Sequence, residues 1–162
     1  MRIAGVVRDS IVDGVGIRDV IFTQGCPHHC KGCHNPNTWN GEGGYEIRPQ
    51  ELEELLCNSS NGITISGGEP LEQFDELTLM IYGFAKQQNK SVWLYTGYEF
   101  EQVEPYIWRM LANCGLEVVV DGQFHEDKKD PNLLFRGSSN QRLIDLPRSV
   151  RENKIILWEE NR

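Results

Sequence analysis

No stretch of the sequence approaches the roughly 20 consecutive apolar residues of a membrane-spanning helix, so no membrane partner is expected. Basic side chains are also scarce. Sixteen Lys and Arg stand against twenty-four Asp and Glu, for a net charge of −8. Binding to a phosphate backbone depends on a cationic surplus that displaces counterions, so a nucleic-acid partner is not expected either. An export signal is missing too: MRIAGVVRDSIVDG is interrupted by Arg8, Asp9 and Asp13 before a signal-peptide core could form. Thiols should then stay reduced. The expectation is a cytoplasmic protein whose five cysteines serve metal or redox chemistry rather than a disulfide framework. A chain of 162 residues and mixed composition is expected to form one domain over residues 1–162. A domain of that size buries roughly two thirds of its unfolded surface.

What is present is an alternation of β-branched runs with helical patterns. VIFTQ (20–24), ITIS (63–66), VWLYT (92–96) and EVVVD (117–121) read as strands. Pro49 fits the first turn of a helix whose apolar face carries Leu52, Leu55 and Leu56, with Glu51, Glu53 and Glu54 toward the positive end of its dipole. Asn61-Gly62 should end that segment. A second helix starts near Leu71, with Leu71, Phe74, Leu77, Ile81 and Phe84 at helical spacing. A third carries Ile107, Met110, Leu111 and Cys114 and begins at Pro105. Toward the C-terminus RLID and KIILW are candidate strands, with FRGSSNQR as a polar loop before them.

Such alternation implies right-handed crossovers and a parallel sheet. A complete eight-unit barrel needs about 250 residues, so the expected fold is α/β, a partial, open (β/α) barrel. The polar and Gly-rich motifs all follow strands: GCPHHCKGCH after VIFTQ, GGEP after ITIS, TGY after VWLY and DGQF after EVVV. Loops at the carboxyl ends of parallel strands share one face, so these four motifs should converge on one site.

Cys26, Cys30 and Cys33 are clustered, with His28, His29 and His34 among them. Two sites fit this pattern: a closed Cys₃His zinc centre, or a four-iron cluster held by three thiolates. Cys57 and Cys114 are poor candidates for a fourth thiolate, because both sit in helical patterns as the small apolar residues that buried free cysteines usually are. A cluster with three protein ligands leaves one iron open to a small molecule. An open coordination position marks a catalytic site.

CPHHCKGC has a C-x₃-C-x₂-C spacing that resembles the signature of the radical S-adenosylmethionine enzymes, and SGGEP (66–70) is similar to their glycine-rich cofactor motif. The resemblance implies a [4Fe-4S] cluster on Cys26, Cys30 and Cys33, with S-adenosyl-L-methionine chelating the open iron. It further implies that Gly67 and Gly68 admit the methionine end, that Glu69 receives its ammonium, and that backbone around Gly32, Cys33 and His34 contacts adenine. Taken alone, GGEP is a loop-to-helix turn with Glu69 as a first-turn acid, and His34 is equally a solvent-exposed loop histidine.

In order, DGVGIRDVIFTQGCPHHCKGCHNPNTW, GITISGGEPL, VWLYTGY, VDGQF and FRGSSNQRL resemble the activating proteins of anaerobic ribonucleoside-triphosphate reductases. That resemblance implies an oxidoreductase with a fold of the radical SAM type. A low-potential donor such as flavodoxin would drive reductive cleavage of the cofactor to a 5′-deoxyadenosyl radical, which abstracts hydrogen from a glycine of the reductase. Two alternatives stay open: an activase of another glycyl-radical enzyme such as pyruvate formate-lyase, and a non-enzymatic Cys₃His zinc-stabilised interaction module. Thr96, Asp121 and Gln123, at strand ends, are candidates for ribose or sulfonium contacts, with Asp121 equally a turn former. Arg136 and Arg142 are candidates for docking the reductase, against a capped turn built by Ser138 and Asn140.

Overall fold

The computed structural model describes residues 1–58 and 62–160. Its strands are β1 (Arg2–Ser10), β2 (Arg18–Thr23), β3 (Tyr45–Glu46), β4 (Gly62–Gly67), β5 (Ser91–Tyr95), β6 (Leu116–Asp121) and β7 (Arg142–Asp145). They form one seven-stranded sheet in the order β3-β1-β2-β4-β5-β6-β7. The four central strands, β2, β4, β5 and β6, are parallel, while β1 and β7 flank them antiparallel and β3 pairs with β1. The sheet is not closed on itself.

Helices α1 (Pro49–Leu56), α2 (Phe74–Tyr82), α3 (Pro105–Cys114) and α4 (Leu146–Glu152) all cover one face. Strand alternation explains the division. In β5, Val92 and Leu94 join the helix-side cluster with Leu52, Leu77, Trp108 and Leu146, whereas Trp93 points to the other face. There it packs with Val118 and Val120 under Phe135 and Trp158. That second face also buries Arg18, which donates to Thr64 Oγ1 at 2.8 Å and to the carbonyls of Ile63 at 2.7 Å and Ser91 at 3.0 Å. Its guanidinium lies 5.1 Å from the Trp93 ring centroid, and burial lowers its pKa to about 10. One side chain thus ties β2, β4 and β5 together at their amino ends.

Several expectations change. β1 lies in the segment read only for its lack of a signal core; its exposed positions, three of them the consecutive Val7, Arg8 and Asp9, give little strand pattern. Leu55 and Met110 face solvent rather than the core. The segment near Leu71 opens as a 3₁₀ turn over Pro70–Gln73, α2 starts at Phe74, and Phe84 lies in a π turn over Gly83–Gln87. KIILW is not a strand: it contributes only an isolated bridge, Leu157 to Ile144. The chain instead turns after β7 into α4, because the Asp145 carboxylate caps it by accepting from the Arg148 N–H at 3.0 Å. Asn61 lies outside the described residues, and Gly62 opens β4. Among the described residues no helix is long and apolar enough to cross a membrane.

Candidate functional site

The carboxyl ends of β2, β4, β5 and β6 deliver the four motifs to one cavity of about 560 Å³. Cys26, Cys30 and Cys33 line it, facing Gly67 and Gly68 after β4, Thr96 and Gly97 after β5, and Gln123 after β6. Cys57 and Cys114 do not. They stand at the carboxyl ends of α1 and α3, where the chain turns back toward the amino ends of the strands. Cys114 is half-buried, but Cys57 is exposed rather than buried as expected.

The cysteine loop is fixed by its own backbone. Gly25 N–H donates to the Thr38 carbonyl at 2.7 Å, Cys26 N–H to Trp39 at 3.1 Å, and Cys33 N–H to Cys30 at 3.1 Å. His29, at φ 49°, stacks its ring on Trp39 with 4.8 Å between centroids. Around the sulfurs the backbone supplies donors. Burial pushes the Cys26 thiol up, while the backbone amides of His28 and His29 pull it down. Burial likewise raises Cys30, against a backbone hydrogen bond from Phe124. Asn35 N–H donates to Cys33 Sγ at 3.3 Å. Each sulfur thus has a backbone donor aimed at it, although burial outweighs these donors at Cys26 and Cys30 and keeps both thiols above their ordinary value. Among the described residues no three His, Cys, Asp or Glu side chains gather at the spacing that grips one ion.

Glu69 is not at the cavity surface. It is fully buried, and its Oε1 accepts from Thr96 Oγ1 at 2.8 Å and from the Leu71 N–H at 3.1 Å. Its Oε2 accepts from the Gly97 N–H and from His28 Nε2, each at 2.8 Å. His28 lines the cavity, with its Nδ1 3.2 Å from the Gln123 amide nitrogen and its ring edge-on to Tyr98 at 4.6 Å. Nothing in the sequence beyond a histidine between two cysteines signals this contact.

The glycines also have another duty. A Cβ on Gly68 would stand 2.2 Å from the Gly25 carbonyl oxygen, and one on Gly67 2.5 Å from the Thr23 nitrogen. Both are small because the end of β2 and the start of the cysteine loop press against them. Gly32, at φ 74°, packs toward Glu126 and does not line the cavity, whereas Cys33 and His34 do. The His34 ring tilts onto Phe124 at 5.0 Å and borders the cavity while remaining an exposed loop residue.

Of the strand-end candidates, Thr96 and Gln123 reach the cavity. Asp121 does not; it is buried, accepts from the Phe100 N–H at 2.8 Å, and pairs with Arg142. Arg142 also binds Glu101 at 2.7 Å. With both acids on it, the guanidinium is committed within the chain, so it is not free for docking. In RGSSNQR, Gln141 rather than Ser138 or Asn140 closes the turn, its Oε1 accepting from the Gly137 and Ser138 N–H groups at 2.9 and 3.2 Å.

Residues 12–144 match a family model described as a 4Fe-4S single cluster domain. The chain is 37% identical over 141 residues to the anaerobic ribonucleoside-triphosphate reductase-activating protein of Escherichia coli (strain K12), covering 81% of this chain and 90% of the relative. It is 37% identical over 139 residues to the protein of that name from Enterobacteria phage T4, covering 82% and 86%. The corresponding figures for the Haemophilus influenzae protein are 31% over 140 residues, 81% and 89%.

Proposed function

Because this chain belongs to the family of anaerobic ribonucleoside-triphosphate reductase-activating proteins and to the 4Fe-4S single cluster domains, we propose that it activates an anaerobic ribonucleoside-triphosphate reductase as a radical SAM oxidoreductase. The observation that supports this best is the cavity on which Cys26, Cys30 and Cys33 converge with backbone donors at each sulfur. A [4Fe-4S] cluster held by Cys26, Cys30 and Cys33 would supply the low-potential electron for reductive cleavage of S-adenosyl-L-methionine, the source of the hydrogen-abstracting chemistry directed at a glycine of the reductase.

The chain's own residues bind and orient. Cys26, Cys30 and Cys33 hold the cluster and leave one iron without a protein ligand. Backbone at Gly67 and Gly68 faces the methionine end of the cofactor, and Thr96 and Gln123 face its ribose. Cys33 and His34 border the adenine, whereas Gly32, turned toward Glu126, does not reach it. An ammonium reaching Glu69 takes the place of His28 on Oε2, since the other donors there are fixed backbone and Thr96. The sheet, with its helices on one face, is read as a partial (β/α) barrel acting as one unit over residues 1–162. A cytoplasmic site of action and a low-potential donor such as flavodoxin complete the proposal.

The test is anaerobic mixing of reconstituted protein, S-adenosylmethionine, reductant and the reductase, followed by electron paramagnetic resonance. A glycyl-radical doublet on the reductase is expected. Its absence, with cofactor cleavage proceeding, would assign the chain to a different substrate.

A further inference from the structure

Beside the thiol cavity lies a second hollow of about 730 Å³, floored by Leu143, Leu157 and Trp158. Backbone pairing preforms that floor: Trp158 N–H donates to the Leu143 carbonyl at 2.8 Å, and Leu157 bridges to Ile144. The two hollows share one wall, the segment Leu134, Phe135 and Arg136. Leu134 is 66% exposed and Leu157 55% exposed, so large apolar side chains stand in water along the approach to the thiols. Ile11 and Val12, more exposed still, also border the thiol cavity. A contiguous apolar surface of this kind marks a contact with another macromolecule. The shared wall also holds an unanswered donor. Arg136 Nε is buried without a partner, while its Nη1 donates to the Gln141 carbonyl at 2.8 Å. The Nε atom is sealed beneath the wall's surface, so it is the wall's apolar side chains that face an incoming chain. At its outer end the hollow carries Glu159 and Glu160.

We propose that the two hollows form one track for the protein substrate: an extended segment of the reductase that is apolar over Leu157, Trp158 and Leu134, basic beside Glu159 and Glu160, and ends with its glycine in the thiol cavity. This rests on the activase reading above. The acidic outer end rejects acidic segments, and the −8 net charge of the chain disfavours an anionic lipid surface as the occupant.

The test uses the full-length reconstituted protein carrying Leu157→Asp, or Glu159→Lys with Glu160→Lys, and as a control Leu79→Asp on the exposed face of α2. Two quantities are read for each: the glycyl-radical yield on the reductase, and methionine release without reductase under dithionite. Leu157→Asp and the double charge reversal should each lower the initial rate of radical formation about tenfold, as loss of an interface anchor does. Methionine release should stay at the wild-type rate in both, and Leu79→Asp should match wild type throughout. Radical formation at the wild-type rate in both variants overturns the track while leaving the activase reading intact. A wild-type protein that releases methionine yet never yields a glycyl radical overturns both. Variants that only change self-association, with radical formation unchanged, assign the groove to a second copy of the chain and also overturn the track.

Discussion

His28 Nε2 and Glu69 Oε2 are 2.8 Å apart, joining the middle of the cysteine loop to the end of β4 through two buried side chains. With its hydrogen on Nε2 the imidazole donates to Glu69 and leaves Nδ1 to accept from the Gln123 amide at 3.2 Å, so one tautomer satisfies both contacts. The same loop residue presents its backbone amide to Cys26, so anchoring the ring also aims a donor at the Cys26 sulfur.

Replacing His28 with Leu should therefore destabilise the fold by about 1–3 kcal/mol, the cost of leaving a buried acceptor short of one donor. It should also change the electron paramagnetic resonance of the reduced cluster, because hydrogen bonds to the sulfurs help set its potential. His28→Gln keeps a donor within reach and should restore part of both. Denaturant unfolding and a redox titration measure the two effects. Wild-type values for both in His28→Leu would show that the contact positions nothing.

Gly68→Ala separates two roles for the glycine. If the residue only made room for a cofactor, iron content would survive the change. A Cβ there stands 2.2 Å from the Gly25 carbonyl oxygen, one residue before Cys26, so the cysteine loop must shift. Overpacking of this kind costs about 1–3 kcal/mol, and iron per chain after reconstitution should fall together with cofactor affinity. Full iron loading with weakened cofactor binding would contradict the packing role.

The Arg142 fork with Asp121 and Glu101 makes a prediction about acid. The hydrogen bond from Arg142 holds the Glu101 carboxyl below its ordinary 4.5. As pH falls, the unfolded chain takes up this proton before the folded one does. The stabilisation from Glu101 is therefore present above about pH 4.5 and lost as pH drops through the lower folded value. Glu101→Gln should lower the melting temperature slightly near neutrality and leave it unchanged in acid, so that its fall on acidification is flatter than that of wild type. Asp121→Asn should cost more, about 2 kcal/mol at neutral pH, because that partner is buried. Parallel melting curves for wild type and Glu101→Gln between pH 3 and 7 would rule out the pairing as the cause.

The convergence of the four motifs was legible because each follows a β-branched run, and parallel strands leave their carboxyl ends on one side. The parallel core therefore matched the sequence pattern closely. β1 was not legible, since a strand flanked on one side only by the two-residue β3, and exposed at several consecutive positions, lacks the alternation that marks a half-buried one. α4 was hidden by its brevity and by the apolar run KIILW behind it, which packs as an irregular tail. At the site, cysteine spacing pointed to the three thiols, but the buried seat of Glu69 did not show. An acid after two glycines looks the same whether it faces a ligand or four internal donors. The partnership of Asp121 with Arg142, 21 positions apart, depends on β6 and β7 lying antiparallel, which local pattern does not reveal.

The central claim is that three thiolates, and no others in the chain, hold the cluster. It is tested by iron and sulfide content after anaerobic reconstitution of five single variants, with Cys26, Cys30, Cys33, Cys57 or Cys114 changed to Ala. The first three should lose the bulk of both elements and all cleavage of S-adenosylmethionine. Cys57→Ala and Cys114→Ala should match wild type, with at most about 1 kcal/mol lost in stability where Cys114 packs on the core. Loss of iron from Cys57→Ala or Cys114→Ala, or full retention in any of the other three, would contradict the ligand set.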